Sequence, residues 1–353
     1  MQHEQGFRVY GLFVGNGSMQ RVSIGVAEGL HAIGQLRGTV GLDGVETDPP
    51  PGALAEYGFL EGPLSMVAKM HAGAHRKRYA MLAPNSTWLP AAAIESAAKL
   101  ATLVAPSDWG RKILSRYCPE ESLASSFPHG ISQGFRPDEA SFAVADQKYD
   151  GGQFSVLHMA STDMQRKGTA QLIAAWCEMV AHGELGLDPR LDIVLEGNPE
   201  GYRRIVEKGP ERARNTVSVL PRWNAPDQTL AALYGQYHVV CQPSRAEGFG
   251  LVPLEAAASG VAVVMTECTG HGQYIETLPA AVRVSHGQDE PIDDGPSALA
   301  PSVQASWVGE ALLEAYRSWT DLAQAARENA RDVRRQWSWQ KVTELWLEKE
   351  QIT

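Results

Sequence analysis

The order of apolar and polar positions along the chain predicts alternating strands and helices. Short apolar runs such as 7–14 and 154–159 are typical of buried strands. After them, apolar residues return at the three- and four-residue spacing of a helix, most clearly in 19–33 and 169–182. Strands and helices that alternate in this way predict parallel sheets covered by helices, which is an α/β fold.

Length and composition divide this pattern into two domains. A chain of 353 residues is long for one domain and suits two. We predict domains at 1–140 and 153–335, joined by a polar linker from Asp138 to Gly152. A last helix is predicted after Trp337, and the acidic, Pro- and Gly-rich stretch 286–302 is predicted to be a surface insertion.

Charge and cysteine usage narrow the function classes. The formal net charge of −10 gives no global signature of nucleic-acid binding. The four cysteines are scattered, without the spacing of zinc or redox motifs, so we expect reduced thiols in a cytoplasmic protein. Neither a signal peptide nor a membrane span is predicted, and the sequence leaves the oligomeric state open.

The stretch 241–260 carries the strongest chemical signal. It predicts the end of a strand, a glycine turn and a helix. The turn, Glu247-Gly248-Phe249-Gly250, allows a ligand to approach the backbone closely, because glycine accepts positive φ angles. The helix start offers unpaired N–H groups and a partial positive charge, which suit a phosphate. Glu255 follows Glu247 by eight residues, and a carboxylate near a bound nucleotide commonly accepts hydrogen bonds from ribose.

With Pro243-Ser244, the glycine turn, both glutamates and Gly260 in place, the stretch resembles the E-x7-E signature of retaining GT-B glycosyltransferases of family 4. The resemblance implies two doubly wound Rossmann-like domains that face a central cleft. It implies that Glu255 binds the donor ribose and that Glu247 lies beside the transferred sugar. The turn would hold the diphosphate through the backbone of Gly248, Phe249, Gly250 and Leu251. The first domain is then the acceptor domain, the second binds the nucleotide sugar, and 337–353 crosses back onto the first.

Other donor-site candidates follow from the same resemblance. The glycine loop Gly15-Asn16-Gly17 stands where the family faces the donor across the cleft. Arg166 and Lys167 precede a predicted helix and match the family's cationic clamp on the diphosphate, although Ser161 replaces the usual arginine. After the strand predicted at 216–220, Arg222 is a further donor-site candidate. Trp223 would either stack on the donor base or be an ordinary core or surface residue.

A basic cluster stands out in this acidic protein. It lies at the end of a helix predicted from 64 to 78 and comprises Lys69, His71, His75, Arg76, Lys77 and Arg78. The cluster is either a solvated helix end, where cations suit the helix dipole, or a patch for a polyanionic acceptor. The acceptor-site candidates are Arg76, Lys77, Arg78, Asn85 and Trp88. Asn85 replaces a histidine that many family members carry, which removes one candidate catalytic group.

The sequence thus predicts an enzyme that transfers a sugar, with retention, from a UDP- or GDP-sugar to an acceptor hydroxyl. Lys167, Arg166 and the helix N–H groups would stabilise the departing diphosphate, and Glu247 would orient the sugar. Neither a metal nor a cofactor beyond the nucleotide sugar is expected. Three readings stay open: transfer to a hydroxylated pyrimidine in DNA, transfer to a small molecule, lipid or glycan, and a non-catalytic or phosphorylase-like protein on the same fold.

Overall fold

The computed structural model describes residues 3–12, 18–41, 54–61, 75, 77–195, 198–221 and 225–352. The chain separates into two compact units, unit 1 (Met1–Ser132 with Arg335–Thr353) and unit 2 (Gln133–Arg334). In the described residues both units alternate strands with helices, and each is built on a parallel sheet.

Unit 1 has a sheet whose described strands follow the order β2-β1-β3-β4-β5, all parallel. Its elements up to residue 114 are β1 (His3–Gly11), α1 (Ser18–Ala32), β2 (Leu36–Gly41), β3 (Leu54–Glu61), β4 (Lys77–Met81), α2 (Ala91–Ala98), β5 (Thr102–Val104) and α3 (Asp108–Leu114). Neighbouring residues of a strand face opposite sides of the sheet. Phe59 and Leu60 are both completely buried, so β3 is covered on both faces, as parallel sheets generally are.

Unit 2 has a longer parallel sheet. Its elements are α4 (Glu139–Asp150), β6 (Gln153–Ala160), α5 (Thr169–His182), β7 (Asp188–Leu195), α6 (Glu200–Glu207), α7 (Glu211–Arg214), β8 (Val217–Pro221), α8 (Asp227–Tyr234), β9 (Val239–Gln242), α9 (Leu251–Ala258), β10 (Ala262–Thr266), β11 (Ala281–Val284), β12 (Asp289–Pro291), β13 (Leu299–Pro301), α10 (Ala305–Arg317) and α11 (Trp319–Gln336). The described strand order is β11-β10-β9-β6-β7-β8. The chain builds outwards from β6 to β8 and then in the other direction from β9 to β11. Ligands of open α/β sheets bind at the carboxyl ends of the strands where the order reverses, here between β6 and β9.

The last helix, α12 (Trp339–Lys349), packs on α1 in unit 1. Its Trp346 stacks on Phe127, with the ring centroids 4.6 Å apart. Gly25 makes the close approach of the two helices possible, because a Cβ atom there would lie 1.9 Å from the ring of Trp339. The helix begins after Ser338, whose hydroxyl accepts a hydrogen bond from a backbone N–H of the first turn. Aromatic burial thus fixes the C-terminal segment to unit 1.

Two stretches differ from the sequence prediction, and a third acquires a defined secondary structure. The expected linker at 138–152 contains α4, because Phe142 and Ala145 give an otherwise polar segment a narrow buried face. Of the helix expected at 64–78, Lys77 and Arg78 instead begin β4, which pairs with β3, while 62–74 and Arg76 lie outside the described residues. The stretch 286–302, predicted to be a surface insertion, is largely exposed and contains an antiparallel hairpin of β12 and β13.

Candidate active site

Two loops meet at the carboxyl ends of β6 and β9. Residues 161–168 follow β6 and residues 243–250 follow β9. The backbone N–H of Arg245 donates to the carbonyl of Arg166 over 2.7 Å, so the loops are joined directly. Gly168 permits this contact, because it has a φ of 65° and a Cβ atom there would lie 2.0 Å from the carbonyl oxygen of Pro243.

The structure brings together the three side chains predicted to be catalytic. Lys167 Nζ lies 2.6 Å from Glu247 Oε1, and Arg166 Nη1 lies 3.3 Å from the other carboxylate oxygen, Oε2. Arg166 is held further by Asp163, with Nε 3.1 Å from Oδ2, and by the carbonyl of Ala246 at 2.9 Å. The side chains of Arg166, Lys167 and Glu247 are 9–16% exposed, so their charges interact with little solvent between them.

The electrostatics of this ion cluster keep Glu247 ionised. Burial raises the pKa of its carboxyl group, but Lys167 and Arg166 lower it by more, and the result is a pKa of about 2. Burial lowers the pKa of the Arg166 guanidinium, and the carboxylates of Glu247 and Asp163 more than offset this. Carboxylates and cations that lie together and have shifted pKa values are typical of functional sites.

The glycine turn presents a helix N-terminus beside this cluster. Gly250 has a φ of 84° and is the N-cap residue of α9. Residues 250–252 are partly exposed, whereas the residues on either side of them are buried. Pro253, the third helical residue, has no N–H, so the helical donors without an intrahelical acceptor at this end belong to Leu251 and Val252. The turn can therefore offer backbone N–H groups to an anion.

A third loop, 268–274, forms hydrogen bonds with the glycine turn. The sequence prediction assigned no role to this loop. Thr269 Oγ1 accepts a hydrogen bond of 3.0 Å from the backbone N–H of Glu247, and the N–H of Gly270 donates to the carbonyl of Glu247 over 2.9 Å. The hydroxyl of Tyr274 donates to the carbonyl of Gly250. Thr269 has a positive φ of 53°, which is uncommon for a β-branched residue. Residues with such strained backbone angles are found most often at functional sites. The glycines of this loop are the sequence signal that points to so close a backbone approach.

A buried histidine supports the turn from inside unit 2. His271 is 1% exposed, and burial lowers its pKa to about 4, so the ring is neutral at physiological pH. A Cβ atom at Gly250 would lie 2.4 Å from its Nε2 atom. The ring therefore packs directly against the backbone of the turn, which fits a supporting role.

Glu255, the predicted ribose ligand, lies on α9 and is 3% exposed. Its Oε2 atom accepts a hydrogen bond of 2.9 Å from the hydroxyl of Tyr234 on α8. The sequence prediction did not include this tyrosine, because residues 234 and 255 become neighbours through the packing of α8 on α9. The role of Glu255 towards ribose stays a prediction.

Some predicted site residues lie outside the described residues, namely Gly15, Asn16, Gly17, Arg76, Arg222 and Trp223. The acceptor-site candidates Asn85 and Trp88 lie in the loop between β4 and α2 of unit 1, where Asn85 is exposed and Trp88 is partly buried. Tyr117 holds their loop: its hydroxyl donates to the carbonyl of Thr87 and accepts from the N–H of Leu89, each over 3.0 Å. The loop thus has a defined shape.

The described residues of the basic cluster do not form one continuous positively charged surface. His75 is 5% exposed, with Nε2 2.8 Å from the hydroxyl of Tyr10. Lys77 is exposed, and its ammonium group lies over the ring of Tyr79, 4.8 Å from the centroid. Arg78 is partly buried. A strand turns successive side chains to opposite faces, so the positive charge is less concentrated than the predicted helix end implied.

Over the described residues, no group of three or more His, Cys, Asp or Glu side chains is placed to hold a metal ion. All four cysteines are buried and free of disulfides. None of the described helices is long and apolar enough to cross a membrane.

Solved structures with a similar fold include sucrose-phosphate synthase from Thermosynechococcus elongatus and HepE from Anabaena in complex with UDP-glucose. Each gives a TM-score of 0.69 at 15% identity. The superpositions cover 99% of this chain, with 98% of the synthase chain and 100% of the HepE chain. This likeness shows the fold, and the predicted GT-B class of α/β units with parallel sheets is confirmed.

A relative in sequence is the D-inositol 3-phosphate glycosyltransferase of Pseudarthrobacter chlorophenolicus, which is 29% identical over 261 residues. The match covers 72% of this chain and 56% of that protein, so the chain spans little more than half the length of this relative. The profile of family 4 glycosyltransferases in conflict systems matches residues 112–345, and this range includes the whole ion cluster. The resemblance seen in the sequence is confirmed: the chain belongs to the family 4 glycosyltransferases in conflict systems.

Proposed function

We propose that this protein transfers a sugar from a nucleoside diphosphate sugar to an acceptor hydroxyl and that unit 2 binds the donor. The proposal rests on the buried cluster of Arg166, Lys167 and Glu247 beside a glycine turn that opens a helix. Two cations and a helix N-terminus in one place suit a diphosphate. Membership of a glycosyltransferase family and the fold shared with a UDP-glucose complex support the same donor class.

The chemistry follows from the placement of these charges. Arg166 and Lys167 would bind the diphosphate and stabilise the negative charge that grows on it as its bond to the sugar breaks. The N–H groups of Leu251 and Val252 would contribute from the helix end. Hydrogen bonds between the loops already fix these groups, so stabilising the departing charge requires little reorganisation.

We assign the two glutamates different roles. Glu247 contacts both cations that would bind the diphosphate, so it would orient the sugar attached to that diphosphate. Glu255 would bind the ribose, on the same helix that the glycine turn opens. We propose that transfer proceeds with retention and without a metal ion, because side-chain cations and a helix end can supply the positive charge.

Nucleotide binding tests the donor site. Wild-type protein and Lys167→Ala would be heated with UDP, GDP and their glucose and mannose forms, since a ligand bound at about 100 times its Kd adds about 2.7 kcal/mol of stability. We expect UDP and a UDP-sugar to raise the Tm of the wild type, and to raise that of the variant by less. Absence of any shift at millimolar nucleotide, together with absence of donor hydrolysis, would refute the proposed function.

For the acceptor we propose a molecule that carries phosphate. The relative in sequence is named for D-inositol 3-phosphate, and Lys77 exposes a cation in unit 1, which is the acceptor unit in the family's arrangement. DNA that bears a hydroxylated pyrimidine is the polyanionic form of this proposal. In that case Trp88 would be the stacking partner of an extruded base.

A triple variant tests the acceptor proposal. Changing Arg76, Lys77 and Arg78 together to Ala should raise the acceptor KM and flatten its salt dependence, while donor hydrolysis stays intact. The acceptors compared would be hydroxymethylated DNA, a phosphorylated polyol and the same polyol without phosphate. The matched control replaces three exposed arginines of unit 2, Arg203, Arg204 and Arg212. If both triple variants transfer sugar equally well at every salt concentration, the basic cluster does not belong to the acceptor site.

A further inference from the structure

The sheet of unit 2 opens between its two central strands, at their carboxyl ends. Among the described residues, the register of β6 with β9 stops at the pair Leu157–Val240, although both strands continue beyond it. Past this pair, side chains hold the strands together, and Nε2 of Gln242 donates to the carbonyl of Met159 over 3.1 Å. An opening of this kind leaves room for the loops that follow the two strands.

His158 bridges this opening. Its side chain is completely buried, Nδ1 lies 2.8 Å from the carbonyl oxygen of Cys241, and Nε2 lies 2.8 Å from Oγ1 of Thr169. Cys241 belongs to β9, and Thr169, which is also completely buried, is the first residue of α5. One imidazole ring therefore connects three elements, its own strand β6, the strand β9 and the helix α5.

The two contacts fix the tautomer of the His158 ring. A carbonyl oxygen can only accept, so Nδ1 carries the hydrogen and donates it to Cys241. Burial lowers the pKa of the ring to about 4, so the ring is neutral at physiological pH, and Nε2 accepts from the hydroxyl of Thr169. Loss of the ring would take a hydrogen-bond partner from a buried carbonyl and from a buried hydroxyl, which is costly.

The two partners of this ring stand beside the loops of the ion cluster. Thr169 follows Lys167 by two residues, and Cys241 lies on β9 directly before the loop that carries Glu247. The imidazole thus connects the backbone just after one member of the ion pair with the backbone just before the loop of the other. The contact between the two side chains, 2.6 Å long, depends on how far apart these backbones are held.

We propose that His158 is a positioning residue: by joining β9 to the start of α5, it sets the separation of Lys167 and Glu247 and thereby the rate of sugar transfer. The effect on the rate rests on the proposed function, because it requires a diphosphate leaving group at Lys167. His158 contacts neither side chain of this pair through its two hydrogen bonds, so it acts through geometry. Charged groups stabilise a leaving group best when they are already held in place.

A second buried histidine of the same sheet provides a matched control. His238 is 1% exposed, its Nδ1 accepts from the N–H of Ser155 over 2.8 Å, and its Nε2 donates to the carbonyl of Ala145 over 3.0 Å. It directly precedes β9, at the amino ends of the strands and therefore at the edge opposite to Lys167. Both histidines are buried and make two hydrogen bonds, so replacing either should lower stability to a similar extent.

A double-mutant cycle measures the ion pair without any substrate. The coupling free energy between Lys167→Met and Glu247→Gln would be obtained by urea denaturation in four backgrounds: wild type, His158→Phe, Thr169→Val and His238→Phe. Phenylalanine keeps a buried ring but removes both hydrogen bonds, and valine removes the hydroxyl alone. We expect the coupling to fall to about half or less in His158→Phe, because Coulomb energy halves when a separation doubles. It should fall by less in Thr169→Val and stay unchanged in His238→Phe.

Kinetics test the consequence for transfer. Hydrolysis of UDP-glucose at saturating concentration gives kcat, and calorimetry gives the Kd of UDP. We expect His158→Phe to lower kcat by about 10–100-fold and to raise the Kd by less than about threefold, because a flexible lysine still reaches a bound phosphate but no longer has a fixed place in the transition state. Thr169→Val should show a smaller loss of kcat, and Thr169→Ser, which keeps the hydroxyl, should retain wild-type turnover. His238→Phe should change both quantities by less than about twofold.

The outcomes separate the possible failures. Full coupling in His158→Phe and Thr169→Val overturns the positioning role, and so does an equal loss of coupling in His238→Phe, because the cause would then be general destabilisation. A kcat that falls no further in His158→Phe than in His238→Phe overturns the effect on transfer. If the wild type neither binds UDP or GDP nor hydrolyses a donor, the proposed function is refuted, and the coupling alone decides whether His158 positions the pair.

Losses of coupling and of kcat that are confined to His158→Phe and Thr169→Val support the proposal. Thr169→Val changes the protein least, because valine has nearly the shape of threonine. It therefore decides the question if His158→Phe does not fold, and full coupling with wild-type turnover in this variant then overturns the proposal.

Discussion

Replacing Glu247 with glutamine should separate nucleotide binding from sugar transfer. Its carboxylate is shared by Lys167 and Arg166 at 2.6 and 3.3 Å, so the change leaves two partly buried cations without their common partner. A diphosphate could take its place, and we expect the affinity for UDP to be kept or raised. Transfer should fall by about 10²–10³, the scale of losing one charged group that acts on the transition state.

The same substitution should lower the stability of unit 2. The pKa of Glu247 falls from an ordinary 4.5 to about 2 in the folded protein. Since one pKa unit corresponds to about 1.4 kcal/mol, the cluster favours the folded, ionised carboxylate by about 3 kcal/mol. Breaking a buried ion pair by removing one partner typically costs about 3–5 kcal/mol, so the two estimates agree.

The pH dependence provides a second check on this value. The pKa is lower in the folded than in the unfolded protein, so the stabilisation by Glu247 is complete above the unfolded value and is lost as the pH falls from 4.5 towards 2. From proton linkage, the free energy of unfolding contributed by Glu247 is smaller at pH 4 than at pH 7 by about 0.8 kcal/mol. The gap in unfolding free energy between the wild type and the glutamine variant should therefore narrow towards acid.

Urea denaturation at pH 7 and pH 4 measures both quantities. The control is Glu267→Gln, because Glu267 forms an ion pair of similar length with Arg283, 2.8 Å, at an exposed position. Surface pairs of this kind contribute at most about 1 kcal/mol. Equal losses in Glu247→Gln and Glu267→Gln, or a gap that widens as the pH falls, would contradict the electrostatic account of the cluster.

Three further substitutions test individual contacts. Lys167→Ala should lower kcat by about 10²–10³, measured as initial rates at saturating donor, and wild-type turnover would exclude its role at the leaving group. Glu255→Ala should weaken binding of nucleoside diphosphates by about 1.5–3 kcal/mol in calorimetry, and unchanged binding in a folded variant would exclude it from the ribose site. Gly270→Ala should lower both stability and transfer, because its Cβ atom would lie 2.6 Å from the carbonyl oxygen of Glu247. Gly272→Ala in the same loop is the control, since no atom lies within 4 Å of the corresponding position, and similar behaviour of the two alanine variants would show that the loop does not hold Glu247.

Arg166, Lys167 and Glu247 could be singled out from the sequence because their signals are local, although the ion pairs between them could not. Glu247 precedes two glycines and a helix, and Arg166 and Lys167 precede another glycine and helix. Both loops follow strands of one parallel sheet, so the topology carries them to the same edge. The alternation of apolar runs and helical spacing likewise predicted the fold class, since it depends on neighbours along the chain.

Features that depend on tertiary packing could not be predicted in this way. The segment of α4 is polar overall, and its buried face consists of a few residues such as Phe142, so its composition predicted a linker. The stretch 286–302 carries several acids, and the hairpin that it forms is contacted by Arg245, more than forty residues earlier. The predicted helix end at Lys77 became a strand because pairing with β3 outweighed helix propensity.

The ion cluster also explains why the loops around it contain so many glycines. Glu247 must lie within hydrogen-bond distance of Lys167 although the two residues are eighty positions apart, so the backbones that carry them must approach closely. A side chain at Gly168 or Gly270 would push these backbones apart. The same approach brings Arg166 and Lys167 to Glu247, four residues before the start of α9. The ion pairs and the backbone geometry therefore depend on each other here: the glycines allow the ion pairs, and the ion pairs hold the glycine loops in the shape on which the proposed diphosphate site depends.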